Sequence, residues 1–353
     1  MDTILRWIGV KIIGTAEITL SGKTVRIAFI LMPYLSKRYI NLKGSDDKEY
    51  SQHQEYQDFI VEDLNKSIEL AYDTNIQILG LGGFNSVISK DGTTLRNNPL
   101  VKNNNIAITS GNSLTTGAVY RAIGKACGEL GIESSKSNIC IFGATGSIGG
   151  ALTELVAADF EKVFIISNTE SELQRMKKNL SSTNDNVIVA INNRSEAVRN
   201  SDVVIITTSA TDFRELGFCL DDVQEGTLWL DVGRPRITFE NIVSDRPGIL
   251  AIEGGIYNFP GKMDPSTILG MDKEDKTDDE PSNVFACFLE TVLLCLEGRR
   301  ENFSMGKSKI GKVREILRIC DKWGFELSWY RMFDRPISPG RVEFVREVRE
   351  KIK

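Results

Sequence analysis

The sequence has a single histidine, no paired cysteines and no long apolar run, and each lack removes a class of function. His53 is the one histidine in 353 residues, so a histidine-based proton relay is not expected. The six cysteines (Cys127, Cys140, Cys219, Cys287, Cys295 and Cys320) stand far apart without a C-x-x-C pair. Most lie inside apolar runs, where a thiol packs as a small hydrophobe, which predicts a reducing compartment and no bound metal. No stretch approaches the roughly 18 uncharged apolar residues of a membrane span, and the start Met1-Asp2-Thr3-Ile4 lacks a basic region followed by an apolar block. The expectation is a soluble, cytoplasmic protein that is not transmembrane. Lysine and arginine number 43 against 48 aspartates and glutamates, a formal charge of -5 with both signs interspersed. No basic stripe could track a phosphate backbone, which argues against nucleic acid as a partner.

What is present is a large apolar fraction, 41% of 353 residues, enough for two or three domains. Residues 8–20 and 23–31 read as strands joined by Ser21-Gly22, a hairpin signal. Between Gln54 and Asp73 the apolar positions Phe59, Ile60, Leu64, Ile68, Leu70 and Ala71 recur at helical spacing, and Ile76 to Leu81 then reads as a strand ending in Gly82-Gly83. A second strand, Ile106-Ala107-Ile108, enters residues 109–116 and a helix that Gly131 ends. From 137 to 255 short Val/Ile-rich runs alternate with helices, the pattern of a parallel sheet buried on both faces. Six strands are predicted, at 138–142, 162–167, 186–191, 202–207, 227–232 and 248–253, in the order 3-2-1-4-5-6. Residues 271–281 read as a charged, solvated linker. Residues 283–298 are apolar nearly all round and predict a buried helix capped by Ser282, while 341–353 predict a short amphipathic helix.

The fold class is therefore α/β, a Rossmann-type doubly wound parallel sheet with an N-terminal α/β substrate domain and C-terminal helices. The expected divisions are 1–135 for the substrate domain, 136–262 for the dinucleotide-binding domain, and 263–353 for the linker and C-terminal helical segment.

Ile139-Cys140-Ile141-Phe142 runs into Gly143-Ala144-Thr145-Gly146-Ser147-Ile148-Gly149-Gly150 and then a helix-like segment, the strand, glycine turn and helix that a phosphate loop requires. Gly143 permits the turn, Gly146 lets main chain approach a pyrophosphate, and Gly149 allows close helix packing, while Thr145, Ser147 and Ile148 complete the loop. NAD asks for a carboxylate at the end of the second strand; this one ends Ser167-Asn168-Thr169, which favours NADPH, with NADH as the alternative. Arg175 and Arg194 are the candidates for a 2′-phosphate partner beside Asn168, weighed against ordinary surface roles. Thr207-Thr208-Ser209 and Gly254-Gly255 end the fourth and sixth strands, where the nicotinamide half should pass.

Several motifs together resemble the cyanobacterial long-chain acyl-[acyl-carrier-protein] reductases. They are Leu81-Gly82-Gly83-Phe84, Thr109-Ser110-Gly111-Asn112-Ser113-Leu114-Thr115, the glycine loop, Gly254-Gly255-Ile256, and Asn283-Val284-Phe285-Ala286-Cys287-Phe288-Leu289-Glu290 with Glu297-Gly298 and Asn302-Phe303-Ser304. The resemblance implies an acyl thioester substrate, a fatty aldehyde product, hydride from NADPH, and Cys287 as the residue that takes the acyl group. It departs from the family at Ser167-Asn168, where an Arg-Asn pair is usual, and beyond residue 330, which finds no match. A thiolate that attacks a thioester carbonyl splits one difficult substitution into two easier steps. With Ser282 as cap, Cys287 would fall in the second turn of its helix, where the dipole favours negative charge. A core cysteine is the plain reading. Gly83, Phe84, Asn112, Ser113 and Thr115 are candidate substrate contacts, with Asn112 or Ser113 alternatively an N-cap. Residues 109–116 also resemble loops of shikimate dehydrogenase-like and glutamyl-tRNA reductase-like proteins, giving a second expectation, an oxidoreductase on a small substrate. A third, motivated by a chain that begins almost at its first hairpin, is an inactive cofactor-binding scaffold. An acyl-carrier protein would need a basic landing site, for which Arg299, Arg300, Lys307 and Lys309 are the candidates.

Overall fold

The computed structural model describes residues 9–33, 47–181, 185–210, 212–233, 236–238, 244–259, 282–333 and 335–352. The expected linker 271–281 lies outside them. In chain order the elements are β1 (Lys11–Leu20), β2 (Lys23–Leu31), α1 (Asp47–Asp73), β3 (Ile78–Gly80), α2 (Phe84–Ile88), α3 (Pro99–Lys102), β4 (Ala107–Thr109), α4 (Asn112–Leu130) and β5 (Asn138–Phe142). They continue with α5 (Ser147–Val156), β6 (Lys162–Ile166), α6 (Glu170–Ser181), β7 (Val187–Val189), α7 (Arg194–Arg199), β8 (Val203–Ile206), β9 (Leu228–Asp231) and β10 (Leu250–Glu253). The last are β11 (Ile256–Phe259), β12 (Ser282–Phe285), α8 (Ala286–Leu296), α9 (Ile310–Lys322), the two-residue pair Arg331–Met332 and Arg335–Pro336, and α10 (Pro339–Ile352).

The chain divides into two compact units. One comprises Met1–Leu114, Tyr257–Gly306 and Glu315–Glu326; the other comprises Thr115–Ile256, Lys307–Arg314 and Leu327–Lys353. Packing thus groups 115–135 with the dinucleotide segment and 282–306 with the N-terminal one, whereas the sequence divisions fall at 135/136 and 262/263.

In the first unit β1 and β2 form the expected antiparallel hairpin, with Leu20 opposite Lys23 across the turn and Glu17 opposite Arg26. One face of α1 is apolar: Ile60, Leu64, Ile68 and Ala71 are buried against Leu81, Leu95, Ile106 and Ile108. β3 and β4 pair in parallel, Ile78 opposite Ala107. The predicted single helix 283–298 is corrected to a strand and a helix. Val284 and Phe285 suit an extended chain as well as a helix, and β12 finds a strand partner in β11. The helix therefore starts at Ala286 with Phe285 at its cap position and no side-chain cap, so Ser282 is not the cap and Cys287 sits in the first turn.

In the second unit the six-stranded sheet runs β10-β9-β8-β5-β6-β7, which is the order 3-2-1-4-5-6 counted along this segment. Every neighbouring pair is parallel. Two apolar layers cover its faces. One holds Ile139, Ile141, Leu152, Val163, Ile165 and Leu230, the other Cys140, Phe142, Val204, Ile206 and Trp229. This is the Rossmann-type architecture, and the alternation of buried residues to both faces explains the near-continuous Val/Ile runs. α10 lays Val342 and Val345 on the first layer, while Ile352 is exposed. Among the described residues no helix is long and apolar enough to cross a membrane.

Arg349, almost fully buried, anchors α10: its guanidinium donates to Asp202 and to the carbonyl of Gly226. Arg349→Met keeps the apolar stem but leaves a half-buried carboxylate without its cation. The expected outcome is a loss of about 2 kcal/mol, read from urea unfolding, because removing one partner of a buried pair costs more than the pair contributes.

Candidate functional sites

The glycine loop opens from the fully buried end of β5. The N–H groups of Gly143 and Ala144 donate to the carbonyl of Ile166 at 2.9 and 3.1 Å, tying the turn to the end of β6. Gly143 has φ +80°, and a Cβ there would stand 2.9 Å from main-chain atoms of Thr207 and Thr208. A Cβ on Gly149 would overlap the carbonyl oxygen of Gly143. Main chain therefore passes over main chain at both positions, and α5 is brought close against the strand ends. Gly146 caps α5 without a side-chain bond, and it is exposed. The first N–H groups of that helix, with their dipole, are left for an anion. The residues present fit a dinucleotide pyrophosphate.

Around the loop, the hydroxyls of Thr145 and Ser167 lie 2.6 Å apart, and Thr207 Oγ1 donates to the carbonyl of Phe142 at 2.6 Å. The hydroxyl of Thr208 accepts from Ala210 N at 3.1 Å; Ser209 beside it is half-buried. Gly254 and Gly255 are buried just past the end of β10. Lys307 Nζ donates to the carbonyl of Thr145 at 3.0 Å, and Ser308 N donates to Ser147 Oγ at 3.0 Å. The half-buried Ile148 completes the first turn of α5.

At the end of β6, Asn168 is exposed, and Arg194 Nη2 donates to its Oδ1 at 3.2 Å. The rest of the guanidinium is fixed by carbonyls: Nε by Ile191 at 3.1 Å, Nη1 by Glu215 and Leu216 at 3.3 and 3.1 Å. An open cavity of about 540 Å³, lined by Ile191, Asn193, Arg194, Ser195, Arg199 and Gly217, adjoins it. Arg175 instead pairs with Glu172 on its own helix at 3.8 Å. Of the two arginines weighed from sequence, the fold brings Arg194 to Asn168.

The candidate nucleophile lies in the other unit. Cys287, second residue of α8, is half-buried, and a Cβ on Gly111 (φ +77°) would overlap its Cα and Cβ. Only a glycine lets the main chain lie on that cysteine. One turn on, the fully buried Glu290 accepts from Thr109 Oγ1, from Leu114 N at 2.7 Å, from the N–H of Gly111 and from the Ser304 hydroxyl. Two of these donors belong to the start of α4, so a carboxylate from another helix occupies that terminus. Neither Asn112 nor Ser113 is the N-cap: α4 begins at Asn112. Asn112 Nδ2 donates to Asp91 at 2.8 Å, and the hydroxyls of Ser113 and Ser304 lie 2.6 Å apart. Of the remaining candidate substrate contacts, Gly83 is exposed with φ +55°, and Phe84 and Thr115 are half-buried.

Sequence reasoning quoted Glu290 and Ser304 without giving them roles, and assigned none to Asp91. The signal was there for Glu290, the lone charged residue in a largely apolar helix. In the proposed basic landing site, Arg299 is matched by Glu301 and Glu315 at 2.6 and 2.7 Å, and Lys307 is at the glycine loop. Among the described residues no group of three or more His, Cys, Asp or Glu is placed to hold a metal ion.

Residues 138–235 match a family profile described as "NADP oxidoreductase coenzyme F420-dependent". Over 263 residues, 73% of its length, the chain is 28% identical to a Serratia sp. protein described as "Aminotransferase PigE", of which it spans only 29%. It is 26% identical over 272 residues to the long-chain acyl-[acyl-carrier-protein] reductase of Synechococcus elongatus, covering 71% of each chain. Among solved structures, shikimate 5-dehydrogenase from Listeria monocytogenes is 12% identical with a TM-score of 0.32, covering 54% of this chain and 72% of that one. The cradle, the sheet and the matched segment agree: the second unit is a dinucleotide-binding domain, similar over residues 138–235 to that of NADP-dependent oxidoreductases.

Burial pushes the Glu290 carboxyl above its ordinary 4.5, and the bonds from Thr109, Ser304, Leu114 and Gly111 hold it down in part. An acid whose folded value is raised contributes stability that is fully present below its unfolded value and is lost as pH rises through the folded one. Glu290→Gln cannot ionise. Comparing urea unfolding of the two across the acid range should show wild type gaining relative to the variant as pH falls toward 4.5. A pH-independent difference would show that the folded-state value is not raised.

Proposed function

We propose that the chain reduces an acyl thioester to an aldehyde, using NADPH and a covalent acyl group on Cys287. The observation that carries this reading is a half-buried thiol in the first turn of α8, lying under main chain that only glycine permits. Similarity to the long-chain acyl-[acyl-carrier-protein] reductase of Synechococcus supports it. The thiolate is the form that attacks. Cys287 Sγ bonds to the thioester carbonyl carbon, the bond from that carbon to the carrier sulfur breaks, and the carrier leaves as a thiol with one proton. NADPH, when bound, would supply the hydride that the same carbon takes up. The bond to Cys287 Sγ then breaks, the aldehyde departs and the thiolate is restored. Gly143, Gly146 and Gly149 would admit the pyrophosphate, Asn168 and Arg194 the adenosine ribose with its 2′-phosphate, and Thr207, Thr208, Ser209, Gly254 and Gly255 the nicotinamide half. Gly83, Phe84, Asn112, Ser113 and Thr115 would line or shape the acyl site. The carrier is acyl-carrier protein or coenzyme A. An aldehyde is also a carbonyl that aminotransferases consume, which suits the match to part of a protein so described.

Two experiments test this reading. Incubated with an acyl thioester and no NADPH, the wild type should acquire one acyl group on Cys287, detected by intact-mass and peptide mass spectrometry. Cys287→Ala should lose both label and aldehyde while remaining folded, since removing one sulfur from a half-buried site costs about 1 kcal/mol by the cavity argument. Substantial aldehyde formation by that variant would overturn the covalent route. Arg194→Gln should weaken NADPH about tenfold and leave NADH unchanged by calorimetry, the size of one charge-assisted contact to phosphate. Equal losses for both cofactors would show that Arg194 does not read the 2′-phosphate.

A further inference from the structure

The glycine loop, residues 143–150, contains no cationic side chain. A dinucleotide pyrophosphate carries about two negative charges, against which the start of a helix offers roughly half a positive charge. Main-chain N–H groups can bind such an anion on their own, and a cation close by would add a charge-assisted contact. The chain returns to this place much later. Ser308 N donates to Ser147 Oγ at 3.0 Å, and the two serine hydroxyls lie 3.2 Å apart, so residues 307–308 are stapled to the first residue of α5. This staple puts Lys307 beside the loop, where its Nζ donates to the carbonyl of Thr145 at 3.0 Å, one residue before the open cap at Gly146.

We propose that Lys307 is the charge partner of the cofactor pyrophosphate, carried to the glycine loop by the Ser147–Ser308 staple. The proposal rests on the dinucleotide-binding reading of that loop. In exchanging a neutral carbonyl for phosphate oxygens, the ammonium gains a charge-assisted bond, about twice as strong as a neutral one. The side chain is exposed, so the swing from Thr145 to a ligand displaces only solvent. It also follows that the contribution should be screened by salt.

Calorimetric titration of the full chain, wild type, Lys307→Gln and Lys307→Arg, with NADPH and with adenosine 2′-monophosphate, tests this without any turnover. Adenosine 2′-monophosphate has the 2′-phosphate but no pyrophosphate. Lys307→Gln should weaken NADPH about tenfold and leave adenosine 2′-monophosphate unchanged. Lys307→Arg should stay within about threefold of wild type for NADPH, since the charge is kept. Raising salt should weaken NADPH less in Lys307→Gln than in wild type. NADPH bound equally by wild type and Lys307→Gln would overturn the proposal. So would equal weakening of both ligands, because that would mark Lys307 as a brace for the loop. A wild type that binds neither NADPH nor NADH would overturn the dinucleotide reading itself and this proposal with it.

Discussion

Everything in the dinucleotide unit depends on one close passage, the crossing of Gly149 over the carbonyl of Gly143, itself pressed against Thr207 and Thr208. With no side chain at either position, α5 can start directly at the strand ends and aim its first N–H groups along the sheet edge. A single Cβ would push the helix out and re-aim those groups. The N-terminal unit uses the same device at Gly111, whose main chain lies on Cys287. In each unit a strand feeds a glycine that permits contact, and a helix starts beside it.

The two helix starts differ in what satisfies them. At α4 the terminus is buried, so its N–H groups cannot wait for water or a ligand, and an internal acceptor must meet them. Glu290 does so from α8, taking the N–H groups of Gly111 and Leu114 together with two hydroxyls. At α5 the terminus is exposed and no side chain caps it. A buried start thus carries its own acceptor, while an open one is competent to take an external anion.

The sheet was legible in the sequence because each strand, buried on both faces, is written as a short Val/Ile run, and because Ile139 to Phe142 enters the glycines without interruption. Long-range contacts were not. The run 283–298 is apolar on all sides, and such a run gives no periodicity by which to separate a strand from a helix. Its division at Phe285 depends on a pairing with β11, some distance back in the chain. Asn112 and Ser113 read as caps because their residue types suit that role, yet the cap comes from Glu290, 176 positions from Leu114. Lys307 meets Thr145 across 162 positions, and nothing near either residue announces it.

The other cysteines sharpen the case for Cys287 as the proposed nucleophile. Burial pushes the thiols of Cys127 and Cys295 up to about 11, and Cys140, fully enclosed in the sheet, higher still. Near neutral pH these three stay protonated, and a protonated thiol is a poor nucleophile. Cys320 is fully buried, its sulfur 3.7 Å from the carbonyl of Phe325. The two remaining thiols are Cys219, which is exposed, and Cys287, which is half-buried. Cys219 is exposed at the start of a short 3-10 turn, its N–H taken by Asp222 at 3.0 Å. An acyl-enzyme there would stand in water and hydrolyse, because nothing shields the thioester. Cys287 is covered on one side by the Gly111 main chain and open on another, which combines access for a thioester with partial exclusion of water.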